Sequence, residues 1–144
     1  MRTELKIPSD LKFLSVVESW LLESLATELK ESETWPQLST RLRLALVEAY
    51  SNVVRHAHKD NPETPVILRL TLDQRSVTLE IWDSGQGYDT DTYLAPVPET
   101  FQEGGYGWLI LNRLMDKVQY QLRAKDGQNC LMLETELPIF QEMP

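Results

Sequence analysis

Apolar and polar positions along this chain repeat with two different periods. Leu14, Val17, Leu21, Leu25 and Leu29 follow one another at spacings of three and four, which predicts a helix with one core-facing stripe. A short alternating stretch over 3–7 precedes it and ends at Pro8, and Ser9 or Asp10 caps the helix, which is expected to run to about Glu31. Trp35-Pro36 interrupts the pattern, and a second helix is predicted from about Leu38 to His58. From Val66 the period becomes two. Val66, Leu68, Leu70 and Leu72 alternate with Ile67, Arg69 and Thr71, and Val77, Leu79 and Ile81 alternate with Thr78, Glu80 and Trp82. This predicts an antiparallel hairpin with one buried face. A helix from about Tyr106 to Asp116 follows, then strands near 117–123 and 129–137 joined by an Asp126-Gly127 turn. The order β-α-α-β-β-loop-α-β-β predicts an α/β fold of the two-layer α+β sandwich kind, a mixed sheet covered on one face by helices.

Length and charge narrow the function classes. A chain of 144 residues is expected to form a single domain over 1–144. It should bury roughly 70% of its unfolded surface without a disulfide or metal staple. Its one cysteine, Cys130, has no intramolecular partner, which fits a reducing cytoplasm and a small half-buried strand residue. The N-terminus lacks the apolar stretch of a signal peptide, and no run approaches the roughly 20 apolar residues of a membrane span. A net charge of -8 argues against non-specific nucleic-acid binding, which needs clustered cations. A polyanionic ligand would have to be held by backbone amides and a metal. Residues 88–104 hold Pro96, Pro98, Asp89, Asp91, Glu99 and Glu103 with no lysine or arginine, a long loop of the kind that is usually either a functional lid or disordered.

Three segments carry candidate chemistry. In Glu48-Ala-Tyr-Ser-Asn52-Val-Val-Arg-His56 a carboxylate and an amide stand one helical turn apart. At about 100° per residue Glu48, Asn52, Arg55 and His56 share one polar arc beside a wide apolar face. Read alone, that arc also fits a solvent-facing stripe. Read functionally, Asn52 offers a hard oxygen to Mg²⁺, and Glu48 can take a proton from an incoming hydroxyl beside the terminal phosphate. His56 fits either a packed histidine or a ligand contact, whereas His58 is expected at an exposed helix end. Asp83, at the end of a strand and followed by Ser-Gly85-Gln-Gly87, is either a turn residue or an acceptor for the amino group of adenine, which guanine lacks there. Gly85 and Gly87 would let the backbone approach the base. Gly104-Gly105-Tyr106-Gly107 opens an apolar helix, whose free N–H groups and dipole suit phosphates.

Together these segments resemble the N, G1 and G2 boxes of the GHKL ATPases, the superfamily of gyrase, Hsp90, histidine kinases and MutL. From about residue 5 to 138 the chain is most similar to compact bacterial anti-sigma-factor serine kinases of the RsbW type. Ile7-Pro-Ser-Asp-Leu-Lys-Phe-Leu14 and Leu114-Met-Asp-Lys-Val118 also look like stretches of that group. The resemblance implies a Bergerat-type sandwich binding ATP with Mg²⁺. It implies Asn52 as magnesium ligand, Asp83 as adenine acceptor, Gly85 and Gly87 beside the base, Gly105 and Gly107 at the phosphates, and Glu48 as catalytic base. The implied partners are a STAS-domain anti-anti-sigma protein, phosphorylated on serine, and a sigma factor; small kinases of this resemblance are often homodimers. One departure stands out. Relatives often carry an arginine in the glycine lid, and residues 88–107 have none; such a cation is worth on the order of 10³–10⁵ in rate. The leading expectation is therefore a cytoplasmic ATP-dependent serine/threonine kinase. The alternative is a catalytically weak or inactive switch of the same fold that uses nucleotide only to order its lid. A histidine kinase's catalytic domain fits less well, because no helix pair with a phosphoacceptor histidine is present.

Overall fold

A computed structural model describes residues 1–85 and 107–137. Five strands form one sheet: β1 (Arg2–Pro8), β2 (Pro65–Leu72), β3 (Ser76–Asp83), β4 (Lys117–Lys125) and β5 (Gln128–Glu136), in the spatial order β1-β2-β3-β5-β4. Helices α1 (Leu14–Leu29), α2 (Trp35–Asn52) and α3 (Gly107–Leu114) complete the described residues, with a 3₁₀ turn at Leu11–Phe13 and a π-helical turn at Val53–Ala57. The expected element order and helix-covered sheet are present. One detail differs: the sheet expected to be mixed is antiparallel at all four of its described junctions. The helical pair α1–α2 explains the first junction. It leaves the sheet at Pro8 and returns at Pro65, its register partner, so β2 runs back along β1.

The predicted period-2 pattern sets which face is covered. Val66, Leu68, Leu70 and Leu72 on β2, and Val77, Leu79 and Ile81 on β3, are buried together with Leu131 and Leu133 on β5. Against them lie Val17, Leu21, Leu25 and Leu29 of α1, Leu42, Leu46 and Ala49 of α2, and Leu111 of α3, in one continuous core. Asp83 continues the inward series 77, 79, 81 and is 2% exposed. Alternation thus carries a carboxylate to the helix side of the sheet. On the other face Arg69 bonds Glu4 (2.6 Å) and lies 5.4 Å over the Trp82 ring, whose Nε1 donates to Glu80.

Element ends depart from expectation for local reasons. Trp35 and Pro36 do not interrupt α2 but begin it, because proline in the first turn has no intrahelical N–H to forfeit. Asp10 caps the 3₁₀ turn rather than a regular helix, accepting from the Lys12 amide at 2.9 Å. The Asp126-Gly127 turn is present, with φ of 52° and 76° at its two residues, the left-handed pair of a tight hairpin. Among the described residues no helix is long and apolar enough to cross a membrane.

Candidate functional site

The orientation of α2 is fixed by the residue midway between Glu48 and Asn52. Tyr50 is fully buried, and its hydroxyl donates to the Pro8 carbonyl at 2.6 Å, with the Asp10 carbonyl at 3.0 Å. Burial raises its pKa, so it remains a donor. With this tie at the end of β1, Glu48 lies half-buried along the helix and Asn52 is its last residue, 3% exposed.

Beyond Asn52 the backbone widens into the π turn, in which the His58 amide bonds the Val53 carbonyl, i→i+5, at 2.8 Å. Such turns concentrate at functional sites. Each residue of a π turn advances by less than the α-helical step, so the arc drawn through Glu48, Asn52, Arg55 and His56 holds only as far as Asn52. Arg55 and His56 are exposed in the widened turn.

His58 corrects the expectation of an exposed helix end, since it is 2% exposed. Its Nδ1 lies 2.5 Å from Ser9 Oγ and its Nε2 accepts from the Ser84 amide at 2.9 Å. Partners 49 and 26 residues away leave no local trace in sequence. The contact ties the end of the α2 segment to the turn after β3. Gly85 makes the same junction from the other side: a Cβ on it would stand 2.5 Å from the Ala57 carbonyl oxygen and 2.9 Å from the Ala57 Cβ. The fold therefore requires glycine there for its own packing.

Asp83 is held by a network around the β5 residue opposite it. Asn129, its register partner, is 0% exposed and donates from Nδ2 to Asp83 Oδ1 (2.9 Å) and to the Gly85 carbonyl (3.0 Å). Asp83 Oδ1 also accepts the Gly85 amide at 2.9 Å. Both bonds use one carboxylate oxygen, which leaves Oδ2 outside this turn network. Asn129 Oδ1 accepts the Arg123 amide at 3.0 Å. A bulge between Gln121 and Lys125 puts Arg123 at φ 52° and lets its guanidinium reach the Gly85 and Gly127 carbonyls, each at 3.0 Å. Asn129 and Arg123 were not legible as site residues. Their roles depend on the β3–β5 register and on the bulge in β4, which short-range patterning does not encode.

Gly107 is the buried first residue of α3, which packs along α2. Gly87 and Gly105, the lid 88–104 and Tyr106 lie outside the described residues. No group of three or more His, Cys, Asp or Glu side chains could hold a metal among the described residues. Mg²⁺ takes one or two protein oxygens and completes its shell from phosphates and water; the buried Asn52 amide is an oxygen ligand of that type. Cys130 is buried, its thiol pushed up to about 12, chiefly by burial and then by Glu80.

A cleft of about 1170 Å³ lies at the other end of the sheet, lined by Met1, Leu72, Arg75 and Ser76 with Glu28, Asp73, Glu134 and Glu136. Ser76 and Asp83 bound an eight-residue strand, so the two ends stand about 23 Å apart. The preponderance of carboxylates disfavours phosphate in that cleft, and volume alone does not make it the site.

The profile described as the histidine kinase-like ATPase domain matches residues 7–135. The chain belongs to that family. The match takes in Glu48, Asn52, Asp83, Gly85 and Gly107 on the elements described above. Among individual proteins, the chain is 38% identical over 105 residues to the serine/threonine-protein kinase BtrW of Bordetella bronchiseptica, covering 66% of this chain and 71% of that protein. It is 28% identical over 124 residues to the serine-protein kinase RsbW of Halalkalibacterium halodurans, covering 81% and 73%. It is 27% identical over 123 residues to the anti-sigma F factor of Bacillus cytotoxicus, covering 83% of each. Domains of this family generically use ATP and Mg²⁺, and the chain resembles anti-sigma-factor kinases of the RsbW type.

Proposed function

We propose that the protein is an ATP-dependent serine/threonine kinase of the anti-sigma type, acting as a single domain. Its substrate is a serine of a STAS-domain antagonist, and it regulates a sigma factor by partner switching. The observation that carries the nucleotide half of this reading is the buried Asp83, fixed through Oδ1 by Asn129 and Gly85. Its second oxygen accepts the 6-amino group of adenine, while guanine presents a carbonyl there and would leave a buried carboxylate facing an acceptor. The protein half draws support from relatives named as serine-protein kinases and as an anti-sigma factor.

Asn52 would hold Mg²⁺ through its amide oxygen, and the ion would supply positive charge for the phosphates. Gly105 and Gly107, with the N-terminus of α3, would take the phosphate oxygens, Gly87 would border the base, and His56 would add a contact to the nucleotide. Glu48 accepts the proton of the substrate serine as its Oγ bonds to the γ-phosphorus. The bond from that phosphorus to the bridging oxygen breaks, and ADP leaves.

A second reading has its own observation, the absence of lysine and arginine from residues 86–107. In that reading the nucleotide only switches partner affinity. One experiment separates the two. Thermal unfolding with Mg²⁺-ATP at about a hundred times its dissociation constant stabilises by about 2.7 kcal/mol. The rise is expected in wild type, absent with GTP and lost in Asp83→Asn. Labelled phosphate transferred to the antagonist by wild type and not by Glu48→Ala supports the kinase. Binding without transfer in wild type selects the switch, and no thermal response to any nucleotide refutes both.

A further inference from the structure

His58 is a conspicuous polar group that the proposed chemistry does not use. It is buried where three separate chain segments meet: Ser9 after β1, Thr64 before β2, and Ser84 after β3. The hydrogen bonds there have one consistent assignment. A backbone amide can only donate, so the Ser84 N–H requires His58 Nε2 to be bare. A neutral ring then carries its proton on Nδ1, which donates to Ser9 Oγ. Ser9, having received that bond, spends its own proton on the Thr64 carbonyl at 2.7 Å. The chain of donors runs Ser84, His58, Ser9, Thr64, and every polar atom in it is matched.

We propose that His58 is the positioning residue of the nucleotide turn, its neutral Nδ1–H form fixing the Ser84 amide and thereby Asp83, and that protonating it loosens nucleotide binding. The inference rests on the reading of Asp83 as adenine acceptor. A doubly protonated ring faces the Ser84 N–H with a second N–H, and the two donors must separate. Ser84 lies between Asp83 and Gly85, so displacing it disturbs both residues that Asn129 holds.

The surroundings set the pH range. Burial lowers the His58 pKa below its ordinary 6.5, Asp83 on β3 opposes that shift, and the Thr64 carbonyl opposes it further. Among the described residues Asp83 is the charged group acting on the ring from β3. Among the described residues, the ring's partner from the end of β1 is the neutral Ser9, and the segment before β2 brings the neutral Thr64 carbonyl, to which Ser9 donates. Neutral His58 therefore prevails above 6.5, and the turn loosens as pH falls through its lower folded value.

The test has two readouts on the full chain. In ¹H–¹⁵N spectra of the free protein between about pH 5 and 8, the Ser84 amide is expected to titrate with a midpoint below 6.5 in wild type. In His58→Gln, which keeps an acceptor but gains no proton, it should not move. Long-range ¹H–¹⁵N spectra of wild type should show the proton on Nδ1; a proton on Nε2 overturns the proposal without any variant. Calorimetric dissociation constants for Mg²⁺-ATP should weaken on acidification in wild type by up to about tenfold per pH unit relative to His58→Gln. Protonation of ATP itself is common to both proteins and cancels. Parallel affinity curves overturn the proposal. Failure of wild type to bind ATP at any pH refutes the adenine reading instead, and the Ser84 titration then decides whether His58 fixes the turn.

Discussion

Asn129→Ala is the substitution whose consequence the structure specifies most closely. The side chain makes three bonds: to the Asp83 carboxylate, to the Gly85 carbonyl and from the Arg123 amide, at 2.9, 3.0 and 3.0 Å. A bond to a charged group is worth about 1.5–3 kcal/mol and a neutral one about 0.5–1.5. Two of the stranded groups keep another partner, since Asp83 Oδ1 still accepts the Gly85 amide and the Gly85 carbonyl still accepts from Arg123. The loss should therefore fall near the lower end of the sum, about 3 kcal/mol. For a chain of this size that is a drop in Tm of about 10 °C. Differential scanning calorimetry of the nucleotide-free protein measures it directly, and ATP affinity should fall with it because Asp83 loses its lateral support. A Tm within about 2 °C of wild type, or unchanged ATP affinity, would refute the claim that Asn129 holds the acceptor in place.

Other expectations follow from single contacts. Gly85→Ala drives a methyl to 2.5 Å from the Ala57 carbonyl oxygen, so denaturant unfolding should show a loss of about 1–3 kcal/mol, and a neutral result would remove the packing reason for glycine. Cys130, buried and with its thiol pushed up to about 12, should resist a thiol reagent at neutral pH until the protein unfolds; rapid labelling of the native form would contradict its burial. Because burial lowers the His58 pKa, unfolded chains bind its proton more readily than folded ones. Stability of the nucleotide-free protein should be full above pH 6.5 and decline as pH falls through the folded value. His58→Gln should flatten that part of the profile, and an unchanged slope would count against it.

Much of the architecture was legible because it follows from short-range periodicity. The stripe through Val17, Leu21, Leu25 and Leu29 and the alternation through β2 and β3 specify which faces are buried before any partner is known. The Asp126-Gly127 turn was readable because a tight hairpin needs left-handed residues. The same alternation, extended two residues past Ile81, carries Asp83 to the covered face.

What the sequence could not decide arose where distant segments meet. Nothing local distinguishes a buried His58 from an exposed one; its status depends on Ser9 and Ser84 arriving from either side. The role of Asn129 depends on the β3–β5 register, and that of Arg123 on a bulge that only the assembled sheet reveals. The π turn after Asn52 likewise changed the phase of a helix wheel that assumed a constant step. Local patterning determined the elements and their buried faces, because side-chain direction repeats with backbone geometry. Tertiary contact alone decided which polar groups share the Asp83 turn, because each gains its hydrogen-bond partner only after strands and helices far apart in sequence have packed.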